Sequence, residues 1–250
     1  MKRLLAFGAL FVCALLASSA SAEWLSFGNL KVHVDGGFTP RTLPRKSYAP
    51  IEFKGYATLE PVGGKLPPAL QQAVINFDRD GKLDTKGLAT CDPSLLEEAT
   101  PQEARERCPH AIVGTGHVGA LIETQGGPLL YAGSELTVFN GPQQDGHPTA
   151  ILHARTTVPA VQNFVITVPI ERRSGAFRYR VTIDVPPIAA GRGALVHIDG
   201  HIGRRFRFAG RLHSYVSARC SHNFLSTYGR FTFSEETFIE GSIEKSCTPR

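Results

Sequence analysis

Methionine and tryptophan are almost missing, with one of each in 250 residues, and charged residues supply only 20% of the chain. There is no internal repeat and no low-complexity tract, which excludes collagen-like, coiled-coil and wholly disordered readings. Beyond residue 22 no apolar run approaches the roughly 20 residues needed to cross a bilayer as a helix. The 27 Lys and Arg stand against 22 Asp and Glu, a net charge of +5. That mild excess is far from the density of a dedicated nucleic-acid binder, so an intracellular nucleic-acid partner is not expected. No G-x-S-x-G marks a nucleophile elbow, and no C-x-x-C knuckle supports a zinc site. Glu97-Glu98 and Glu235-Glu236 are adjacent pairs, which a strand points to opposite faces instead of together across a substrate. No cofactor is implied.

What is present begins with an address. Lys2 and Arg3 precede an apolar run over 4–17, followed by Ser18, Ser19, Ala20, Ser21 and Ala22. These are the charged region, apolar region and small-residue cleavage site of a secretory signal peptide, read as residues 1–22. Cys13 lies inside the apolar run with Val12 before it, which is the wrong place for lipidation. The expected mature chain, 23–250, has 228 residues, a net charge of +3 and no transmembrane segment. It keeps Cys91, Cys108, Cys220 and Cys247, an even number in an exported chain, so two disulfides are expected. Of three possible pairings, Cys91 with Cys108 and Cys220 with Cys247 each bracket one local excursion, and each would restrict the unfolded chain by about 3 to 4 kcal/mol.

Period-2 alternation dominates the rest. Phe177, Tyr179, Val181, Ile183 and Val185 share one face while Arg178, Arg180, Thr182 and Asp184 share the other. Phe164, Ile166, Val168 and Ile170 form another apolar face, and Val196, Ile198 and Ile202 a third. Further strands are predicted over 30–34, 50–59, 73–77, 111–113, 136–139, 150–154, 212–218 and 231–238, separated by turn signals such as Asp80-Gly81 and Asn140-Gly141-Pro142. Thr100-Pro101-Gln102-Glu103 is a capping box with proline at the first helical position, so one short helix should lie between Cys91 and Cys108. Pro40, Pro44 and Pro50 make 38–50 an extended crossing. The expected fold is all-β: a single antiparallel β-sandwich domain carrying one disulfide-bracketed helix.

Several ordered pieces, Gly87-Leu88-Ala89-Thr90-Cys91, Ala104-Arg105-Glu106-Arg107-Cys108, Ala111-Ile112-Val113-Gly114-Thr115-Gly116, Phe139-Asn140-Gly141 and the run from Gly203 to Cys220, together resemble an uncharacterised family of exported actinobacterial proteins. The resemblance covers most of 66–220. It implies secretion and mostly β structure, and it supplies no activity and no catalytic residue.

Four patterns are candidates for chemistry. Gly114-Thr115-Gly116-His117-Val118-Gly119 matches the dinucleotide fingerprint, but the residues after it are too few and too glycine-rich for a phosphate-binding helix. Asn76 to Asp84 places Asp78 and Asp80 at ligand positions of a calcium-type loop, yet Gly87 stands where the bidentate Glu belongs. His197, Asp199 and His201 share one strand face as a partial metal set. The outer two would be about 13 Å apart on a regular strand. Arg178, Arg180, Arg205 and Arg207 could form a basic stripe for an anionic polymer, while Phe206 and Phe208 should point into the core.

No pattern assembles a nucleophile with its base. The leading expectation is therefore a non-enzymatic exported sandwich that binds an extracellular or cell-envelope ligand or polymer. The alternatives are an extracellular hydrolase acting on carbohydrate and a purely structural envelope component; the oligomeric state is not legible. Intact mass of the exported protein is expected to give an N-terminus at Glu23, and a retained or acylated leader would refute the cleavage reading.

Overall fold

A computed structural model describes residues 23–27, 30–234 and 237–250. The expected signal peptide and the Glu235-Glu236 pair lie outside the described residues.

The strands, in chain order, are β1 (Glu23–Phe27), β2 (Leu30–Thr39), β3 (Thr42–Leu43), β4 (Ala49–Pro50), β5 (Glu52–Pro61), β6 (Leu70–Asp78), β7 (Gly81–Leu83), β8 (Ile112–Ile122), β9 (Leu130–Gln144), β10 (His147–Thr156), β11 (Gln162–Arg172), β12 (Phe177–Asp184), β13 (Gly193–Ile202), β14 (Arg205–Phe208), β15 (Arg211–Ser214), β16 (Val216–Ala218), β17 (Phe224–Phe233), β18 (Phe238–Ser246) and β19 (Thr248–Pro249). The one α-helix among the described residues, α1 (Pro101–Arg107), has the capping box that its sequence prescribes: the Thr100 side chain accepts from the Glu103 N–H, and Glu103 accepts from the Thr100 N–H.

Twelve strands join antiparallel in the order β1-β2-β5-β13-β8-β9-β10-β11-β12-β6-β17-β18. β11 turns the corner. Its residues from Gln162 to Pro169 pair with β10, whereas Ile170 to Arg172 pair with β12, the way a strand passes from one layer of a sandwich to the other. The layers then face each other: Leu30, Val32 and Leu59 pack with Leu70, Phe233, Phe231 and Ile239, and the Phe53 and Phe77 rings meet edge to face at 5.7 Å. The result is an all-β, nearly closed, barrel-like sandwich.

A row of glycines makes the bend possible. Gly36, Gly55, Gly200 and Gly116 are direct partners across β2, β5, β13 and β8, and they lie on the inward side, in step with Val34, Ile198 and Val118. A side chain at Gly116 would place its Cβ 2.0 Å from the Asp199 carbonyl oxygen, far inside contact distance. Backbones can come this close only without Cβ atoms, the usual reason for glycine at a sharp sheet bend. The ends of the sheet meet where Lys245 of β18 pairs with Asp35 of β2 at 2.6 Å. Partial burial pushes the Asp35 carboxyl upward, but the Lys245 ammonium and the Gly36 N–H outweigh it and hold the pKa below its usual value. Beyond the seam, β19 and β3 form a short parallel pair.

Both expected disulfides are present, Cys91–Cys108 and Cys220–Cys247. The first closes a loop that caps the outer side of β9 and β10, burying Phe139 and Ile151 under Leu96, Ala99 and Ala104. Asn140 fastens this loop: its amide donates to the Ala89 carbonyl, its backbone N–H to Ala111, and its carbonyl accepts from Cys91. His153 is fully buried beneath it and contacts the Ala99 carbonyl through Nε2 at 3.1 Å. The second disulfide joins a separate cluster with Phe38, Leu43, Ile51 and Ala218.

Four sequence expectations are corrected. The strand expected over 212–218 is β15 and β16, which belong to separate sheets, and Asn140-Gly141-Pro142, expected as a turn, lies inside β9, where Gly141 pairs with Thr149. The strand expected over 231–238 is divided: Phe231–Phe233 end β17 and Phe238 begins β18. The strand expected over 111–113 runs on through the glycines to Ile122, because those glycines serve the bend instead of ending the strand.

Burial lowers the His153 pKa from 6.5, aided by the nearby positive charge of Arg155, and hydrogen bonding to Ala99 only partly opposes this. Below pH 6.5 the unfolded chain gains a proton that the folded chain resists, so stability falls with acidification until the lowered folded value is reached. Thermal unfolding at about pH 7.5 and about pH 5 is expected to show a smaller acid loss in His153→Gln than in wild type. Parallel losses would show that His153 does not contribute.

Candidate functional site

His197 and Asp199 lie on the outer side of β13, and the register with β8 sets His117 opposite Asp199. Asp199 Oδ2 is 3.1 Å from His197 Nε2 and 3.3 Å from His117 Nδ1. His201 does not join them; it turns to Glu52 at 3.3 Å. The contacting nitrogens of the two rings thus face the carboxylate itself, and among the described residues no group of three His, Cys, Asp or Glu side chains is gathered to hold a metal ion. The same outer row continues as Asp35, Tyr56, Asp199, His117 and Glu135 on five neighbouring strands. His117, 82 residues from Asp199, carries no spacing signal; only strand register finds it.

Asp78 and Asp80 lie in the β6–β7 hairpin, where protein donors occupy their oxygens. Asp78 accepts from the N–H groups of Asp80 and Ser226, each at 2.8 Å. Asp80, only 1% exposed, accepts from Arg219 Nε and from the Ser221 N–H, each at 2.8 Å, and from the Ser221 hydroxyl. This carboxylate therefore anchors the segment leading through Cys220. Burial would raise its pKa, but the hydrogen bonds from Ser221 and Arg219 prevail and lower it. Ser221 also touches His222 Nδ1 at 2.5 Å, while His222 Nε2 meets Arg79. Serine, histidine and aspartate are thus together in an order unlike a hydrolytic relay: the carboxylate bonds the serine, and the far nitrogen of the ring meets a cation.

The four arginines divide into two pairs. Arg178 and Arg180 are on β12, whereas Arg205 and Arg207 are exposed on β14, which belongs to a separate two-stranded hairpin with β15. The pairs are not on neighbouring strands. Phe206 packs inward with Leu88 and Val113, and the Phe208 ring lies against Gly87. Arg180 donates through Nε to Asn76 at 3.0 Å.

Arg178 instead joins a cluster that spacing did not reveal. Its guanidinium carbon is 5.5 Å from the centre of the half-buried Tyr48 ring, that of Arg219 is also 5.5 Å away, and Lys82 Nζ is 5.7 Å away. All three are within cation–π range. β16, which pairs with both β4 and β7, brings Tyr48, Lys82 and Arg219 together. Of the three cations, Arg219 alone is ion-paired among the described residues, to Asp80; Lys82 exerts only a longer-range attraction on Asp84.

The chain matches no protein-family model, no curated protein and no solved structure.

Asp80→Asn should lower stability by about 1 to 3 kcal/mol, since buried donors lose a charged acceptor. The Asp80 contribution is present above its ordinary pKa of 3.8 and is lost as pH falls from there through the lower folded value. Denaturant titration near neutral pH and near pH 3 is expected to show a mutational deficit that shrinks in acid. A deficit independent of pH would remove the ionic role.

Proposed function

We propose that the mature chain is an exported, non-enzymatic binding module that holds an anionic polymer of the cell envelope on the cationic surface around Tyr48. One observation carries this reading: three cations converge on one aromatic ring and only one of them is neutralised by a carboxylate. Arg180 lies on the same face of β12 as Arg178 and is bonded to Asn76, and Arg79 of the hairpin is bonded to His222; neither is ion-paired among the described residues. Such a surface attracts anions and presents Arg and Lys donors at fixed positions. Export is supported by the residue pattern of the first 22 positions and by the two disulfides. The resemblance to exported actinobacterial proteins agrees with this reading and adds no ligand.

The test is a salt gradient on immobilised dextran sulfate. Exposed charges are screened within about 8 to 10 Å at physiological ionic strength, so retention should fall with salt. Lys82→Glu with Arg178→Glu is expected to elute at clearly lower salt than wild type. Arg205→Glu with Arg207→Glu, on the separate hairpin, should shift less. Equal elution of wild type and the first double variant would overturn the reading.

A further inference from the structure

On β8 and β9, Gly119 and Gly133 are direct cross-strand partners. Tyr131 lies over them. A Cβ at Gly119 would come 2.2 Å from Tyr131 Oη, and one at Gly133 would come 3.2 Å from Tyr131 Cε1. The two glycines thus form a slot without side chains in which the phenol ring rests against the backbone. The ring is nevertheless 57% exposed, so it forms a supported aromatic surface open to solvent. The last glycine of the apparent dinucleotide fingerprint is accounted for by this contact.

Beside the ring is an open depression of about 470 Å³ lined by His117, Tyr131, Ser134, Glu135, His197 and Asp199. Asp199 offers carboxylate oxygens flanked by two imidazoles, whose nitrogens can donate or accept according to tautomer. Glu135 is paired with Arg105 at 2.5 Å. The lining therefore combines carboxylate acceptors with ring nitrogens and the Tyr131 hydroxyl, carries no cation left unpaired among the described residues to attract an anion, and gathers no set of metal ligands among them.

A pyranose matches this chemistry. One face of the sugar ring presents C–H groups, which pack on an aromatic face, while its rim carries neighbouring hydroxyls that both donate and accept hydrogen bonds. A rigid aromatic platform next to a few fixed polar groups is also a general form of small-ligand site. We propose that the outer face around Tyr131, His117, Asp199 and His197 binds a neutral pyranose unit of a polysaccharide. The site is independent of the Tyr48 surface: in sheet order, β10 and β11 separate β9 from β12.

The test is affinity electrophoresis in native gels containing one of four soluble neutral polysaccharides: a β-glucan, an α-glucan, a galactomannan or an arabinoxylan. Wild type is expected to be retarded by at least one of them. Tyr131→Ala and Asp199→Ala should each weaken binding about tenfold or more, while Tyr131→Phe keeps the platform and most of the retardation. Thermal unfolding of each variant confirms that it is folded. Lys82→Glu with Arg178→Glu should be retarded like wild type, which separates this inference from the anionic-polymer reading. No retardation in any of the four gels, or retardation of folded Tyr131→Ala equal to wild type, overturns the proposal. Loss of retardation only in the Lys82/Arg178 variant does so too, by assigning the sugar to the other surface.

Discussion

A sheet of twelve antiparallel strands has to bend back on itself before its apolar side can leave water, and here that requirement falls on Gly36, Gly55, Gly200 and Gly116. Their alignment lets four neighbouring backbones approach on the inside of the curve, to a distance at which a Cβ at Gly116 would collide with the Asp199 carbonyl. The packing of Leu30, Val32 and Leu59 against Phe231 and Phe233 then becomes possible. The polar row Asp35, Tyr56, Asp199, His117 and Glu135 lies one residue along from the glycines on these strands, except at Glu135, and faces outward. Curvature inside and polar functionality outside are therefore set by the same register.

The outer surface is not treated alike everywhere. Over β9 and β10 it is apolar, with Phe139 and Ile151 fully buried, and the loop stapled by Cys91–Cys108 covers it. Covering a sheet face with irregular chain requires partners for the backbone polar groups of that chain. Asn140, itself buried, supplies several of them. The outward row of Asp35, Tyr56, Asp199, His117 and Glu135 is polar and needs no such cover. The loop thus closes one side of the sheet while the surfaces at Tyr131 and Tyr48 stay open.

Features governed by neighbours in sequence were legible before the fold was known. The alternation from Phe177 onward, the Thr100–Glu103 capping box and the nearest-neighbour disulfides all depend on local spacing. Strand ends were less legible where glycine had two readings: Asn140-Gly141-Pro142 reads as a turn, but it continues β9. The candidate surfaces were legible only in fragments. Asp199 and His197 announce themselves by their spacing of two, whereas His117 and Tyr131 reach the same place through β8 and β9. Arg178 was visible as half of a stripe, but Tyr48, Lys82 and Arg219 come from separate segments joined by short strand pairings. Alternation tells which way a side chain points and not which strand lies beside it.

The seam between β18 and β2 is held by the Lys245–Asp35 ion pair and by the short β19–β3 ladder. Cys247, just beyond β18, is tied covalently to Cys220 at the other end of β17. A parting of the seam therefore cannot peel the last strand away as a free tail. β17 and β18 would have to swing together as a flap hinged on β6, with the crosslink travelling with them. A competing strand could therefore not take the place of β18 beside β17 without displacing a crosslinked pair in place of a loose end.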